Sequence, residues 1–211
     1  MPSNIMELSN KEQWDQVKGT QIAFTDKLLW EAPTALPEAM IQSMVEYCNN
    51  LTYETAETGD LKENTEKLKK IRNTDISWIS WDEWIPGIIS NVMTCANYDY
   101  FHYDLTHFDS RIQVTVYNGE ENQHYGWHVD NGTRVLKHSN EERKLSCSLI
   151  LNDPDEYEGG EIQFHYHSNF FMSVKPPKGT AMIFPSWLPH RVKPVRKGKR
   201  TSLVAWMRGP F

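Results

Sequence analysis

His128 and Asp130 stand two residues apart in the run Tyr125-Gly126-Trp127-His128-Val129-Asp130-Asn131, and His190 follows near the C-terminus. Side chains alternate along a β-strand, so His128 and Asp130 share one face if this run is extended. A strand carrying His190 that pairs close by completes a set of two imidazoles and one carboxylate. Such a set covers one face of an octahedral ion and leaves room for a bidentate ligand and O2, which favours Fe(II) over Zn(II). It needs neutral His and ionised Asp, so metal binding weakens in acid.

Arg200 comes ten residues after His190 and offers a planar fork for a carboxylate. It leads into Thr201-Ser202-Leu203-Val204-Ala205-Trp206, a stretch where an unpaired guanidinium is costly to bury. A bound dicarboxylate removes that cost. Ser202 is two residues on, hence on the same strand face, and can add a hydrogen bond. Tyr117 and Tyr125 face the same expected pocket, where a phenol can donate to a carboxylate while its ring forms wall. Trp206 shares the face of Arg200 and should approach the metal end, either as a site residue or as core.

Other histidines make poorer sites. His165-Tyr166-His167 is a same-face pair with no Arg at a matching distance after it. His124 and His128 are four apart but lie in a strand pattern, without the Glu of a zinc-protease helix. His102 and His107 fall in a Tyr-, Phe- and Asp-rich loop and are expected to bond backbone or water. A serine-hydrolase reading fails for want of a Gly-x-Ser-x-Gly elbow.

The elements that must hold these residues can be traced from periodicity. Leu36, Met40, Met44 and Cys48 recur at helical spacing, with Pro37 and Glu38 suited to a helix start, which predicts a helix over 37–50. A second helix is expected over 82–96, burying Ile88, Ile89, Val92 and Met93. Residues 1–20 read as loosely held, and 54–75 as a solvated loop or short surface helix. Arg111–Tyr117 alternates strictly, and its polar face of Gln113, Thr115 and Tyr117 suits a barrel lined for a polar ligand or an ordinary solvent-facing sheet. Further strands are expected at Tyr125–Asp130, Leu145–Leu151, Glu161–His167, Ser173–Lys175, Thr180–Phe184, His190–Val192 and Thr201–Met207. Turn chemistry separates them at Asn118-Gly119, Asn131-Gly132, Asn152-Asp153-Pro154, Gly159-Gly160, Pro176-Pro177 and Lys178-Gly179. Helices followed by about eight short strands predict an α+β, mainly β fold. Its core is a double-stranded β-helix of the jelly-roll or cupin-like kind, with the N-terminal helices packed on one side.

Length and composition agree with one domain over 1–211, in which 1–110 supports a β core at 111–208. The chain has 211 residues and a formal charge of −6, which argues against a nucleic-acid partner. Its densest basic patch is Lys193 to Arg200. The odd set Cys48, Cys95 and Cys147 shows no metal-knuckle spacing, and all three are expected as small core residues. Neither a leader pattern nor a membrane span is apparent, which predicts a cytoplasmic, reducing setting.

The residues above resemble the prolyl 4-hydroxylase-like branch of the 2-oxoglutarate/Fe(II) dioxygenases, including PKHD-type hydroxylases and oxygen-sensing prolyl hydroxylases. Tyr117 and Tyr125-Gly126-Trp127-His128-Val129-Asp130 match its Tyr…Tyr-x-x-His-x-Asp pattern. Tyr157-Glu158-Gly159-Gly160-Glu161-Ile162 matches a Gly-Gly-Glu-Leu-like strand entry. Phe184-Pro185-Ser186, His190-Arg191-Val192 and Gly198-Lys199-Arg200-Thr201-Ser202-Leu203 match the closing segment. The likeness runs over about 71–208, with Ile71–Ile79 its upstream part.

The resemblance implies Fe(II) on His128, Asp130 and His190, 2-oxoglutarate clamped by Arg200, O2 as oxidant and ascorbate as a possible reductant. It implies hydroxylation coupled to decarboxylation of 2-oxoglutarate to succinate, with a proline-containing protein or peptide as first-choice substrate. With Asp130 present, hydroxylation is favoured over halogenation. Hydroxylation of a free amino acid or other small molecule stays open, as does a jelly-roll binding or sensing module without turnover. Many members hold the far carboxylate with a Tyr on the strand after the His-x-Asp loop. Here that strand reads Cys147-Ser148-Leu149-Ile150-Leu151, so Arg200 needs another helper, with Tyr117 a candidate. Residues 54–75 and 131–144 are the segments expected to cover a substrate.

Overall fold

The computed structural model describes residues 4–8, 28–32, 36–56, 70–131, 140–167 and 170–211. In chain order they form β1 (Asn4–Leu8), β2 (Trp30–Ala32), α1 (Glu38–Asn49), β3 (Glu54–Thr55), β4 (Arg72–Asn73), β5 (Asp75–Ser80), α2 (Trp84–Ala96), β6 (His107–Phe108), β7 (Arg111–Asn118), β8 (His124–His128), β9 (Glu141–Ile150), β10 (Tyr157–Gly159), β11 (Ile162–His167), β12 (Phe170–Val174), β13 (Ala181–Pro185), β14 (His190–Val192) and β15 (Val195–Pro210). One sheet runs β1-β12-β11-β14-β8-β4, and the other β2-β13-β9-β15-β7-β5-β3. Among the described residues all pairings are antiparallel except β1 with β12. This is a double-stranded β-helix.

The larger sheet is covered on both faces, and its period-two pattern divides the labour. Ile112 and Val114 of β7, Cys147 and Leu149 of β9, and Leu203 and Ala205 of β15 join a core with Ile41, Met44 and Cys48 of α1 and Ile85, Ile89 and Met93 of α2. The intervening residues Gln113, Thr115 and Tyr117, Ser148, and Arg200, Ser202, Val204 and Trp206 line a cavity of about 670 Å³ between the sheets. The alternation of Arg111–Tyr117 thus reflects a core face and a cavity face, not a solvent face.

The two helices fall within two residues of their expected bounds. Their phase differs in detail: Met40 is exposed while Ile41 is buried, and Ile85 and Ala96 join Ile89 and Met93 inside while Ile88 and Val92 are only half covered. Cys95 is exposed on α2, against the expectation of three core cysteines; Cys48 and Cys147 are buried, and all three are free thiols.

Strands outnumber the eight expected, because short edge pairings such as β3–β5 and β4–β8 carry little periodic signal. Asn4–Leu8 is a strand rather than loose chain. The segment read as a solvated loop at 54–75 holds two strand fragments, and Arg72 within it is buried; residues 57–69 lie outside the described residues. So do 132–139, the middle of the other expected covering segment. Thr201–Met207 is the centre of a 16-residue strand whose ends pair with β10 and β6. No helix among the described residues is long and apolar enough to cross a membrane.

Gly159 shows how tightly β10 meets this strand. It adopts φ +77°, and a Cβ there would collide with the Pro194 carbonyl oxygen. Gly159→Ala must therefore lose stability, by about 1–3 kcal/mol, read as a lower urea midpoint at unchanged slope. An unchanged midpoint would show that this turn relaxes freely.

Candidate metal centre

The antiparallel pairing of β8 and β14 puts His190 directly opposite His128. β8 ends at His128, so Asp130 is placed by a turn rather than by the strand itself. Its backbone N–H donates to the Ser186 carbonyl at 2.8 Å. Ser186 lies in the bend that leads into β14, so one bend fixes the carboxylate and delivers His190.

The metal-facing atoms converge. Nε2 of His128 is 3.7 Å from Asp130 Oδ1, and Nε2 of His190 is 3.6 Å from Asp130 Oδ2. One donor atom from each of the three residues lies within 4.8 Å of the others. Nδ1 of His128 is 2.8 Å from the Gly126 carbonyl, and Nδ1 of His190 is 2.9 Å from the Leu188 carbonyl. A carbonyl oxygen can only accept, so each Nδ1 carries the proton and each Nε2 turns a lone pair inward. Ser146 donates to Asp130 Oδ2 at 2.7 Å and is itself 2.9 Å from Ser186 Oγ. Two neutral imidazoles and one carboxylate with fixed lone pairs fit a divalent first-row metal.

Electrostatics prepare the same protonation state. Burial, then the neighbouring His190, pushes the His128 imidazole down to about 4. Burial acts to raise the Asp130 carboxyl, but His190, His128, the Ser146 hydroxyl and the nearby Trp206 indole outweigh it and hold it below the usual carboxylate range. Between about 6.5, where a free imidazole takes its proton, and about 4, where His128 does, the unfolded chain binds more protons than the folded one. Stability of the metal-free protein therefore falls as pH falls through that window. Melting temperatures in chelator should drop across it, and His128→Ala should flatten the slope. An identical slope in the variant would remove His128 as its source.

Arg200 is 2% exposed in the middle of the larger sheet, paired across to Tyr117 of β7. Its Nη1 donates to Ser202 Oγ at 3.1 Å, and its Cζ lies 5.5 Å from the Tyr117 ring centre. Gly160 makes room beside it, since a Cβ there would stand 3.1 Å from Arg200 Cδ. No carboxylate among the described residues pairs with this guanidinium, which leaves a buried cation facing the cavity. Tyr117 and Tyr125 line the same space with phenols that burial keeps protonated, so both remain donors. Trp206 also lines it, and Arg143 stacks on its ring at 3.6 Å.

Residues 112–208 match the family model of the 2OG-Fe(II) oxygenase superfamily. The matched segment is a little under half of the chain. It contains His128, Asp130, His190 and Arg200, and members of this superfamily use Fe(II), 2-oxoglutarate and O2. A PKHD-type hydroxylase of Verminephrobacter eiseniae is 39% identical over 99 residues, covering 45% of this chain and 42% of the relative. One from Janthinobacterium sp. is 38% identical over 94 residues, covering 42% and 39%. The chain thus spans under half the length of these curated relatives. Among solved structures, a Pseudomonas putida prolyl-4-hydroxylase superposes with a TM-score of 0.64 at 20% identity, covering 87% of this chain and 93% of the other. A Trichoplax adhaerens prolyl hydroxylase, solved with a hypoxia inducible factor oxygen degradation domain peptide fragment, superposes at 0.66 and 20%, covering 87% and 84%. At that identity the two structures speak for the fold.

His165, His124 and His107 stay outside this centre. His165 stacks on Phe171 at 4.5 Å, and His124 bonds the Asn122 and Lys70 carbonyls. His107 lies at the cavity rim, 3.1 Å from Thr106 Oγ1 and 3.5 Å from Glu141. Sequence reasoning missed Ser146 and Ser186, which hold Asp130. A signal existed: Ser146 and Ser148 are the polar positions in the otherwise apolar Leu145–Leu151. It also missed Arg72, hidden in a charged stretch, and Asp109, which pairs with both Arg143 and Arg208 at the rim.

Proposed function

We propose that this protein is a 2-oxoglutarate- and Fe(II)-dependent dioxygenase that hydroxylates a proline-containing peptide. The observation that carries the reading is the meeting of His128, Asp130 and His190 in a cavity whose opposite sheet presents a buried, unneutralised Arg200. His128, Asp130 and His190 would hold the iron, and Arg200, with Ser202 and Tyr117 beside it, the far carboxylate of 2-oxoglutarate. When bound, these groups would direct O2, the oxidant, to two coupled oxidations, 2-oxoglutarate to succinate and CO2 and a C–H bond to C–OH, with one oxygen atom going to each product.

The chain's own part is to bind, orient and exclude water. The Nδ1–carbonyl bonds keep both imidazoles aimed. Ser146 keeps one Asp130 oxygen engaged, so the carboxylate cannot swing away. The Phe184 ring packs edge-on against His190 at 4.8 Å and, with Trp206, lines the cavity beside the centre. The choice of peptidyl proline draws on the hydroxylase relatives and on the peptide-bound neighbour. A reducing compartment suits the three free thiols as well as ferrous iron.

The test is succinate release from 2-oxoglutarate with added Fe(II) and ascorbate, with and without proline-containing peptides. Product mass spectrometry should show the gain of one oxygen atom on a peptide. Succinate release with oxygen found only on a small molecule would reassign the substrate. No Fe(II)-dependent succinate would overturn the enzyme reading.

A further inference from the structure

The cavity contains a second buried guanidinium that iron and 2-oxoglutarate leave unused. Arg72 is 9% exposed and lines the cavity from β4, the last strand of the six-stranded sheet. Its Cζ lies 4.6 Å above the centre of the Tyr125 ring. His128 also stacks on that ring, nearly parallel to it at 3.6 Å. Arg72 and His128 thus both pack on Tyr125, which links β4 to the metal side of the cavity. Stacking fixes the plane of a guanidinium and leaves its N–H edges free to donate. One of those donors is open: Nε of Arg72 is buried without a hydrogen bond, and no acidic side chain among the described residues forms a salt bridge with the guanidinium. A desolvated cation with an open donor calls for an anion.

Counting carboxylates indicates which anion. 2-Oxoglutarate has two, one for Arg200 in the middle of the nine-stranded sheet and one beside the metal. Neither remains for Arg72, which lines the cavity from the opposite sheet. Arg111 extends the cationic approach, lying 4.6 Å over Trp78 on the cavity wall.

We infer that Arg72 is an acceptor anchor, and that the molecule hydroxylated here carries a carboxylate close to the reacting carbon. The inference rests on the oxygenase reading above and adds the substrate's charge to it. That carboxylate can belong to an acidic residue next to a peptidyl proline or to a free amino acid.

The test is equilibrium binding to the Fe(II)- and 2-oxoglutarate-loaded protein without oxygen, so that no turnover intervenes. The probes are N-acetyl-aspartyl-prolinamide against its asparaginyl counterpart, and L-proline against L-prolinamide. The wild type should bind the carboxylate member of one pair roughly tenfold or more tightly, and the responding pair identifies the source. Arg72→Met keeps an unbranched stem over Tyr125 and should lose the preference; Arg72→Lys should keep part of it. Affinity for 2-oxoglutarate should stay unchanged in both variants. Equal binding within both pairs, no binding of any probe, a preference that survives in Arg72→Met, or a loss confined to 2-oxoglutarate each overturns the proposal. Fe(II)-dependent succinate release by the wild type then tells whether the oxygenase reading survives such a failure.

Discussion

Replacing Asp130 by alanine should abolish turnover and cost more than a hundredfold in Fe(II) affinity. Asp130 is the one carboxylate in the donor set, held by Ser146 and by the Ser186 carbonyl. Removing one member of a buried charge pair costs about 3–5 kcal/mol, and each 1.4 kcal/mol is about tenfold in a binding constant. Two imidazoles alone also leave the divalent charge unneutralised in a buried site. Ser146→Ala should be milder, within the roughly 10–100-fold typical of groups that orient a metal ligand. The measurement is anaerobic Fe(II) titration beside succinate release. Wild-type affinity in Asp130→Ala would mean that the ion binds elsewhere.

Arg200→Met should raise the 2-oxoglutarate requirement by the roughly 2–5 kcal/mol expected when a buried, hydrogen-bonded charge loses its partner, about thirtyfold to several thousandfold. The same variant should melt no lower than the wild type when 2-oxoglutarate is absent. Its guanidinium is buried with Ser202 and the Tyr157 phenol as close polar neighbours and no carboxylate paired with it among the described residues. An apolar side chain of similar length relieves that desolvation. The paired outcome separates a ligand clamp from a structural cation, because a structural cation would lower the melting temperature and leave the requirement alone. KM for 2-oxoglutarate and thermal melts with and without it provide both numbers.

The chemistry-bearing residues could be read from the sequence because strand alternation and chain order are local. His128, His190 and Arg200 sit in β-structure where period-two reasoning applies, and the cavity face of β7 could be named residue by residue. Asp130 shows the limit: it comes after the strand ends, and a hydrogen bond to Ser186, 56 positions away in the chain, does what alternation was expected to do. Ser146 and Arg72 escaped for related reasons. A serine inside an apolar strand has no local signature of a carboxylate partner, and a charged stretch hides the one arginine that turns inward. Cys95 and Met40 were misjudged because a helix's buried arc is set by the sheet it meets. The helix's own pattern fixes that arc only to within a residue or so.

The two-faced strands of the larger sheet constrain how such a protein can change. Along β7, β9 and β15, neighbouring residues serve different masters, one anchoring the helices and the next shaping the chamber. Deleting or inserting a single residue mid-strand would exchange those roles along the rest of the strand, sending arginine and serine into the helix interface and leucine toward the reactants. New specificities on this scaffold must therefore arise through replacements at chamber-facing sites, or through remodelled segments at its mouth, and the spacing within these strands should resist alteration.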